Sequence, residues 1–324
     1  MALSLFPGRP LKPDAEPDTE PDVEPSPQGR HYKKILDLHA AWLDQRPGGI
    51  RADLSRSTLS DVQWQRVRLA RAILNTTSWI EADLTEADLV GCELGYADLR
   101  GATLNRADLT EAEIGQARLE SCWMMGACLS EVRANECNFS GAHLEESRWL
   151  EAALQECLFS HAHLDRAVFN QARLFDCDFS AASLPGAILY NARAQLCRFY
   201  GAILTGANLS AAQLLDCNFT QADLTGARLS RADLRRSCLA RTRMQNCDLR
   251  EAKLNCADLS GAFLVGARFA GANLSGVDFR DANLKSAREL TSEQLVAART
   301  DSSTILPNGS PGPYIRRSGT EKPR

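Results

Sequence analysis

The feature that most constrains this fold is a large apolar residue that returns every five positions. Between Leu54 and Leu284 there are 47 such centres with no slip in phase, and all are Leu, Ile, Phe, Met or Trp except Ala134 and Ala194. The residue two positions before each centre is small, usually Ala, and the residue between the two is often Asp, Asn or Arg. The chain therefore repeats one short pattern of a small, a polar and a large apolar residue.

A period of five fits neither regular secondary structure. On an α-helix five residues turn through about 500°, so a row of centres would spread around the helix axis. On a flat strand an odd period sends successive centres to opposite faces of the sheet. The chain is therefore predicted to turn a corner every five residues, so that each centre and each small residue points inward.

A second period, of 20 residues, gives the number of sides. Residues 136–140 read ECNFS, and related segments follow at intervals of 20 as ECLFS, DCDFS, LCRFY and DCNFT. Halfway between these segments the small position holds Ser or Ala instead of Cys. One coil is therefore predicted to have four sides of five residues, with the Cys side chains stacked in one column and the Phe side chains in another.

This A(D/N)LXX pattern resembles the pentapeptide repeat family. The resemblance covers residues 50–288 and implies the family fold, an all-β, right-handed quadrilateral β-helix. Parallel crossover geometry independently favours the same hand. About 12 coils at a spacing of ~4.8 Å predict a rod roughly 55–60 Å long.

The segments that flank the repeat are predicted to cap the rod, because a solenoid exposes its first and last coils. Residues 30–49 are expected to form an N-terminal helical cap, with a helix over 30–46 that ends before the Pro-Gly-Gly at 47–49. Residues 289–306 are expected to form a C-terminal helical cap, because LTSEQL at 290–295 is a capping box that starts a helix over 291–299. Residues 1–29, which are rich in Pro and acids, and residues 307–324 are expected to be disordered tails.

Composition limits where the chain can work. The 324 residues carry a formal net charge of −4, and no run of about 18 apolar residues is present, so no membrane span is predicted. The N-terminus lacks a charged region followed by an apolar stretch, so a secretory signal is not expected. Eleven Cys without export indicate free thiols in a reducing cytoplasm, which is the expected location.

Two groups of residues have side chains that can bind metal ions. Eight of the Cys occupy the small inward position, where a thiol acts as a slightly larger Ala, and no CxxC pair is present. His143, His161 and His163 lie close together in the predicted coil, with Glu145 and Asp165 nearby, and such side chains could bind zinc or nickel. The favoured interpretation is an exposed polar ladder, so no metal and no cofactor are expected.

The sequence gives no positive indication of catalysis. Carboxylates are abundant because the position before the centre favours Asp, and neither a Gly-rich phosphate loop nor a nucleophile elbow is present. A regular rod also lacks the concave pocket that most enzymes need. The chain is therefore not expected to be an enzyme or to have a small-molecule substrate.

Protein binding is the function that a rigid rod with variable outward residues favours. Between about 150 and 215 several outward positions are apolar, and a clustered apolar strip usually marks an interface. The alternative is that these side chains lie flat over the corners and stay partly buried. The prediction is a rigid, non-catalytic scaffold or adaptor that contacts another protein, or a second copy of itself, through Leu150, Val168, Phe175, Ile188, Tyr190, Leu196 and Leu215.

The charge distribution along the repeat supports an alternative function. Residues 81–156 carry 16 acids against five bases, whereas residues 157–288 carry 11 acids against 16 bases. Some members of the family that the chain resembles mimic DNA at type II topoisomerases, which implies a gyrase modulator acting through the acidic half 81–156. The basic half departs from those members. Binding to nucleic acid itself is not expected, because the Arg residues between 228 and 253 spread over several sides without interleaved aromatics.

Overall fold

The structure is a computed structural model that describes residues 27–324. No helix within that range is long and apolar enough to cross a membrane. Of the predicted tail 1–29, residues 1–26 lie outside the described range, and the remainder begins the first helix. The elements in chain order are α1 (Pro27–Leu43), β1 (Arg133–Asn135), β2 (Ala153–Gln155), β3 (Arg173–Phe175), β4 (Arg193–Gln195), β5 (Gln213–Leu215) and α2 (Ser292–Ala297).

The chain winds so that each outward residue pairs with the residue 20 positions later. Leu54 N donates to Ile73 O, and Ile73 N donates to Ala52 O. Parallel pairing of this kind recurs every five residues along the chain, from 53↔73 to 268↔288. Four pairings therefore belong to each 20-residue coil, and the predicted all-β quadrilateral β-helix is confirmed.

The core is a stack of nearly identical layers. The centres and the small residues are buried along the rod, and like side chains lie above one another. The rings of one Phe column stack with centroids 4.7–4.9 Å apart and interplanar angles of 2–4°. This column consists of Phe139, Phe159, Phe179, Phe199 and Phe219, and a column of buried Cys lies beside it.

Most corners of the coil place a non-glycine residue in the left-handed region. Along the repeat these residues have φ between +49° and +62°, as Glu81 and Arg106 do at +57°. This conformation costs an L-residue about 1–2 kcal/mol. The amide of the same residue donates to the next coil, as Glu81 N does to Arg100 O, and that hydrogen bond offsets part of the cost.

Helix α1 covers the first coil. His39 Nδ1 accepts a hydrogen bond from Ala52 N at 3.0 Å, and Trp42 stacks on the His39 ring with centroids 5.5 Å apart. The chain then passes so close to α1 that Gly49 has no room for a side chain against the backbone of Trp42. The helix begins and ends three residues earlier than the predicted span 30–46.

Helix α2 covers the last coils through the predicted capping box. Thr291 Oγ1 accepts from Gln294 N, and Gln294 Oε1 accepts from Thr291 N. The amide group of Gln294 also donates to Phe269 O and Ala272 O at 2.9 and 2.8 Å, which attaches the helix to the coil beneath it. The helix is shorter than the predicted span 291–299 because residue 299 pairs with Asp278 and continues the solenoid.

The segment 307–324 differs from the disordered tail that its composition predicted. Tyr314 packs against the core, its amide donates to Thr300 Oγ1 at 2.9 Å, and its hydroxyl donates to Ser292 Oγ at 2.8 Å. Pro311 forms an antiparallel bridge with Ile305. One aromatic side chain with a hydroxyl therefore holds this segment over α2, although the segment has few other apolar residues.

Acidification is expected to loosen the N-terminal cap. Burial lowers the pKa of His39 below its usual 6.5; a backbone hydrogen bond at Ala70 and the charge of Asp88 oppose this change, whereas Arg51 and Arg68 add to it. Because the unfolded chain binds the proton more readily, the stability due to neutral His39 is present above pH 6.5 and is lost as the pH falls below it.

The free energy of unfolding should therefore fall between about pH 7 and about pH 5 more steeply in the wild type than in His39→Gln. The Gln amide oxygen can still accept from Ala52 N but does not titrate. Urea unfolding at a series of pH values measures the two slopes, and equal slopes would contradict the role of His39.

The Cys column is expected to contribute packing only. Cys157→Ala should reduce the free energy of unfolding by about 1 kcal/mol or less, because Ala fills the same slot in other layers, whereas Leu164→Ala should cost about 2–5 kcal/mol. Both side chains are fully buried. Chemical denaturation of the two variants measures the difference, and a larger loss for the Cys variant would show that the thiol does more than fill space.

Candidate protein-binding groove and histidine cluster

Five consecutive coils differ from the others at one corner. This corner follows the centre of each of the strands β1–β5, and we call it the opened corner in their coils. In the other coils the amide after the same corner donates back to the preceding centre, as Ala117 N does to Ile114 O. In the coils of β1–β5 pairing instead extends over three residues, with Arg133↔Ala153 as the first pair. These coils have Cys after the corner, with each thiol 3.4–3.6 Å from the carbonyl two residues earlier: Cys137, Cys157, Cys177, Cys197 and Cys217.

The five strands line a groove of about 510 Å³. One wall is formed by the first residue of each strand, whose side chain points outward; these residues include Arg133, Arg173 and Arg193, and we call them the arginine column. The opposite wall is formed by the last residue of each strand, which is Phe175 or Leu215 in two strands and Asn or Gln in the other three. The residues that line this groove include no carboxylate, imidazole, thiol or hydroxyl group, so the groove offers charge and apolar contact but no acid–base pair.

The arginines of the groove differ in whether they are paired. Arg133 forms a salt bridge with Glu113 at 3.1 Å. Arg173 and Arg193 are neighbours in the β3–β4 ladder, and neither has a salt-bridge partner among residues 27–324. An Arg guanidinium binds carboxylates with two parallel hydrogen bonds, and two unpaired ones side by side favour an anionic partner.

Three of the seven predicted interface residues lie at the opened corner. Phe175 and Leu215 line the groove, and Leu196 is exposed beside it. Phe175 exposes 42% of its surface and Leu196 exposes 44%, which is high for large apolar side chains. The structure therefore brings these residues together on one edge of the groove.

The other four predicted interface residues lie beyond the arginines. Leu150 and Tyr190 are exposed at the preceding corner, by 39% and 48%. Val168 and Ile188 pair with each other on the neighbouring side and are only partly buried. The arginine column, which is not among the residues predicted from the sequence, separates this group from Phe175. Its signal in the sequence is Arg at 133, 173 and 193, in phase with the 20-residue period but interrupted by Ala153.

The histidines predicted as weak metal candidates do not all meet. His143 and His163 stack with ring centroids 4.8 Å apart, and Trp123 stacks on His143 at 3.8 Å. His161 is exposed at a corner with φ +59° and is not part of the stack. Two histidines, not three, are therefore available at one place.

Two carboxylates complete what we call the histidine cluster: His143, Glu145, His163 and Asp165. One donor atom each from Glu145, His163 and Asp165 lies within 4.8 Å of the others. His143 Nδ1 is 3.4 Å from Glu145 Oε1. The sequence placed these carboxylates near the histidines, but the coil geometry makes them part of the same group of donors.

Comparisons with known proteins identify the repeat. The family described as "Pentapeptide repeats (8 copies)" matches residues 65–95, 87–130, 152–191 and 172–210, and the "Pentapeptide repeat region" matches 212–288. No curated protein matches the chain in sequence.

Several solved structures are similar to the chain. HetL, a pentapeptide repeat protein involved in heterocyst differentiation regulation from the cyanobacterium Nostoc sp. strain PCC 7120, is 26% identical over 86% of this chain and 98% of that chain, with a TM-score of 0.31. QnrB1, a plasmid-mediated fluoroquinolone resistance protein, is 18% identical over 67% and 93%, with a TM-score of 0.36. A pentapeptide repeat protein from the Arabidopsis thaliana thylakoid lumen is 29% identical over 37% and 68%, with a TM-score of 0.21.

Because these TM-scores are below 0.5, no function is inferred from the similar structures. Family membership rests on the matched repeats, together with the unbroken five-residue pattern and the four-sided coil. The chain belongs to the pentapeptide repeat family.

Proposed function

We propose that the protein is a rigid, non-catalytic scaffold that binds an extended acidic segment of a partner protein in the β1–β5 groove. The observation that carries this proposal is the pair of neighbouring arginines, Arg173 and Arg193, which have no salt-bridge partner among residues 27–324 and face a wall that contains Phe175 and Leu215. Charge and apolar surface thus run side by side along the rod.

An extended peptide suits the two walls of the groove. Successive side chains of an extended chain point to opposite sides. A peptide laid along the rod axis would therefore direct every second side chain to the arginine column and the others to Phe175 and Leu215. Alternating acidic and apolar residues are the sequence that this arrangement favours.

The rigidity of the solenoid supports binding at this place. The groove walls belong to a continuous parallel sheet, so the scaffold orders few groups when a partner binds. Arg and large aromatic residues are also the types that most often dominate interface energetics. The exposed residues Leu196, Leu150 and Tyr190 lie at the rim, where a folded part of the partner would add contacts.

A labelled peptide of about ten residues in which Glu and Leu alternate is the probe for the groove. Fluorescence anisotropy should detect its binding to the wild type, with weaker binding as salt is added, because exposed charge pairs are screened. Arg173→Glu with Arg193→Glu should weaken binding by about tenfold or more.

The matched control is Arg228→Glu with Arg241→Glu. Both residues are exposed and have no salt-bridge partner among residues 27–324, and the double change alters the net charge by the same amount. Equal loss of binding in both double variants would assign the effect to overall charge and refute the groove.

A second copy of the chain is another occupant that the experiment can detect. Sedimentation velocity of the wild type and of Phe175→Asp with Ile188→Asp reports self-association through the predicted apolar residues. The acidic-peptide proposal expects a monomer in both cases, with peptide binding weakened by the Phe175 change. A dimer that the double change dissociates would favour self-association instead.

The gyrase alternative depends on the acidic half 81–156. Part of its charge is neutralised within the rod: Glu86 pairs with Arg66 and Asp98 pairs with Arg100. A supercoiling assay with purified gyrase distinguishes the two functions. The scaffold proposal expects no effect, whereas inhibition that does not depend on the DNA substrate would favour the DNA mimic.

A further inference from the structure

The two carboxylates of the histidine cluster lie close together, and neither pairs with an Arg or Lys side chain among residues 27–324. Glu145 and Asp165 occupy the same corner position in successive coils. Stacked positions elsewhere in the rod commonly pair opposite charges, as Arg231 and Glu251 do at 3.0 Å. The histidine cluster therefore concentrates negative charge and nitrogen donors at one place.

The hydrogen bonds of these carboxylates are incomplete. Glu145 Oε2 is buried and has no hydrogen-bond partner among residues 27–324. Asp165 accepts long hydrogen bonds of 3.3 Å from Ser183. A buried acceptor without a partner is unfavourable, and a bound cation would satisfy it.

We propose that Glu145, His163 and Asp165 bind one zinc ion, with His143 as a positioning residue that holds Glu145. Zinc is bound by imidazole nitrogen and carboxylate oxygen, and three protein ligands leave a fourth position for water. His143 Nδ1 lies 3.4 Å from Glu145 Oε1, so its ring can orient that carboxylate from behind.

The geometry is close to what a zinc ion requires. In a tetrahedral site with bonds of ~2.1 Å, ligand atoms are ~3.4 Å apart. The three donor atoms lie within 4.8 Å of one another, so a small rotation of the two acidic side chains would close the site. The His163 ring is held by stacking on His143, which is stacked in turn on Trp123, so the nitrogen ligand is already oriented.

Isothermal titration of untagged full-length protein with zinc chloride tests the proposal. The wild type should bind one zinc ion with micromolar or tighter affinity. Glu145→Gln and His163→Gln should each weaken binding by at least about tenfold, because each removes a ligand without a large change in shape. The matched control is His161→Gln, which alters a neighbouring exposed histidine outside the histidine cluster and should leave binding unchanged.

Substitution with cobalt identifies the ligands independently. A weak visible spectrum without a thiolate charge-transfer band is expected for nitrogen and oxygen ligands, whereas that band would assign the metal to cysteine and overturn the proposal. Absence of binding, or binding that Glu145→Gln and His163→Gln leave intact, would also overturn it. Thermal unfolding without metal verifies that the variants fold, so loss of binding cannot be attributed to loss of structure.

Discussion

The hydrogen bond between a residue and the coil that follows it is the interaction on which the rest of the structure depends. Each side contributes amides that meet carbonyls 19 residues ahead or 21 residues behind, as Leu54 N and Ile73 N do. These bonds are satisfied only if every coil contains the same number of residues. Because all coils are equally long, residues 20 positions apart lie in a straight column along the rod. The groove and the histidine cluster are each formed by neighbouring columns of this kind.

Both proposed sites place like charges at neighbouring positions of successive coils. Along the corners, opposite charges commonly alternate from coil to coil, as in Arg236 with Asp216. In the groove Arg173 stands beside Arg193, and in the histidine cluster Glu145 stands beside Asp165. Like charges at neighbouring positions of paired strands oppose folding. A partner or ion of opposite charge would relieve this repulsion at both sites.

The sequence was sufficient for the fold because period, superperiod and capping box are local patterns, and Gln294 closes the box as its spacing predicts. It was not sufficient for the groove, because the opening of five corners depends on whether the amide after the corner bonds back to the preceding centre, as Ala117 N does to Ile114 O. The sequence also grouped His161 with the other histidines, but its corner backbone directs it elsewhere. Tyr314 likewise orders a segment whose composition predicts none.

In a four-sided coil, the distance between two surface sites along the rod axis and the angle between them about that axis can change independently. Adding a block of 20 residues would move everything beyond it along the axis by about 4.8 Å and leave its facing unchanged. Adding a single block of five would instead turn everything beyond it by about a quarter of a revolution, because one more corner is passed before the columns resume. For two partners bound to the same rod, insertions of 20 residues would therefore set the distance between them, and insertions of five residues would set the angle between them.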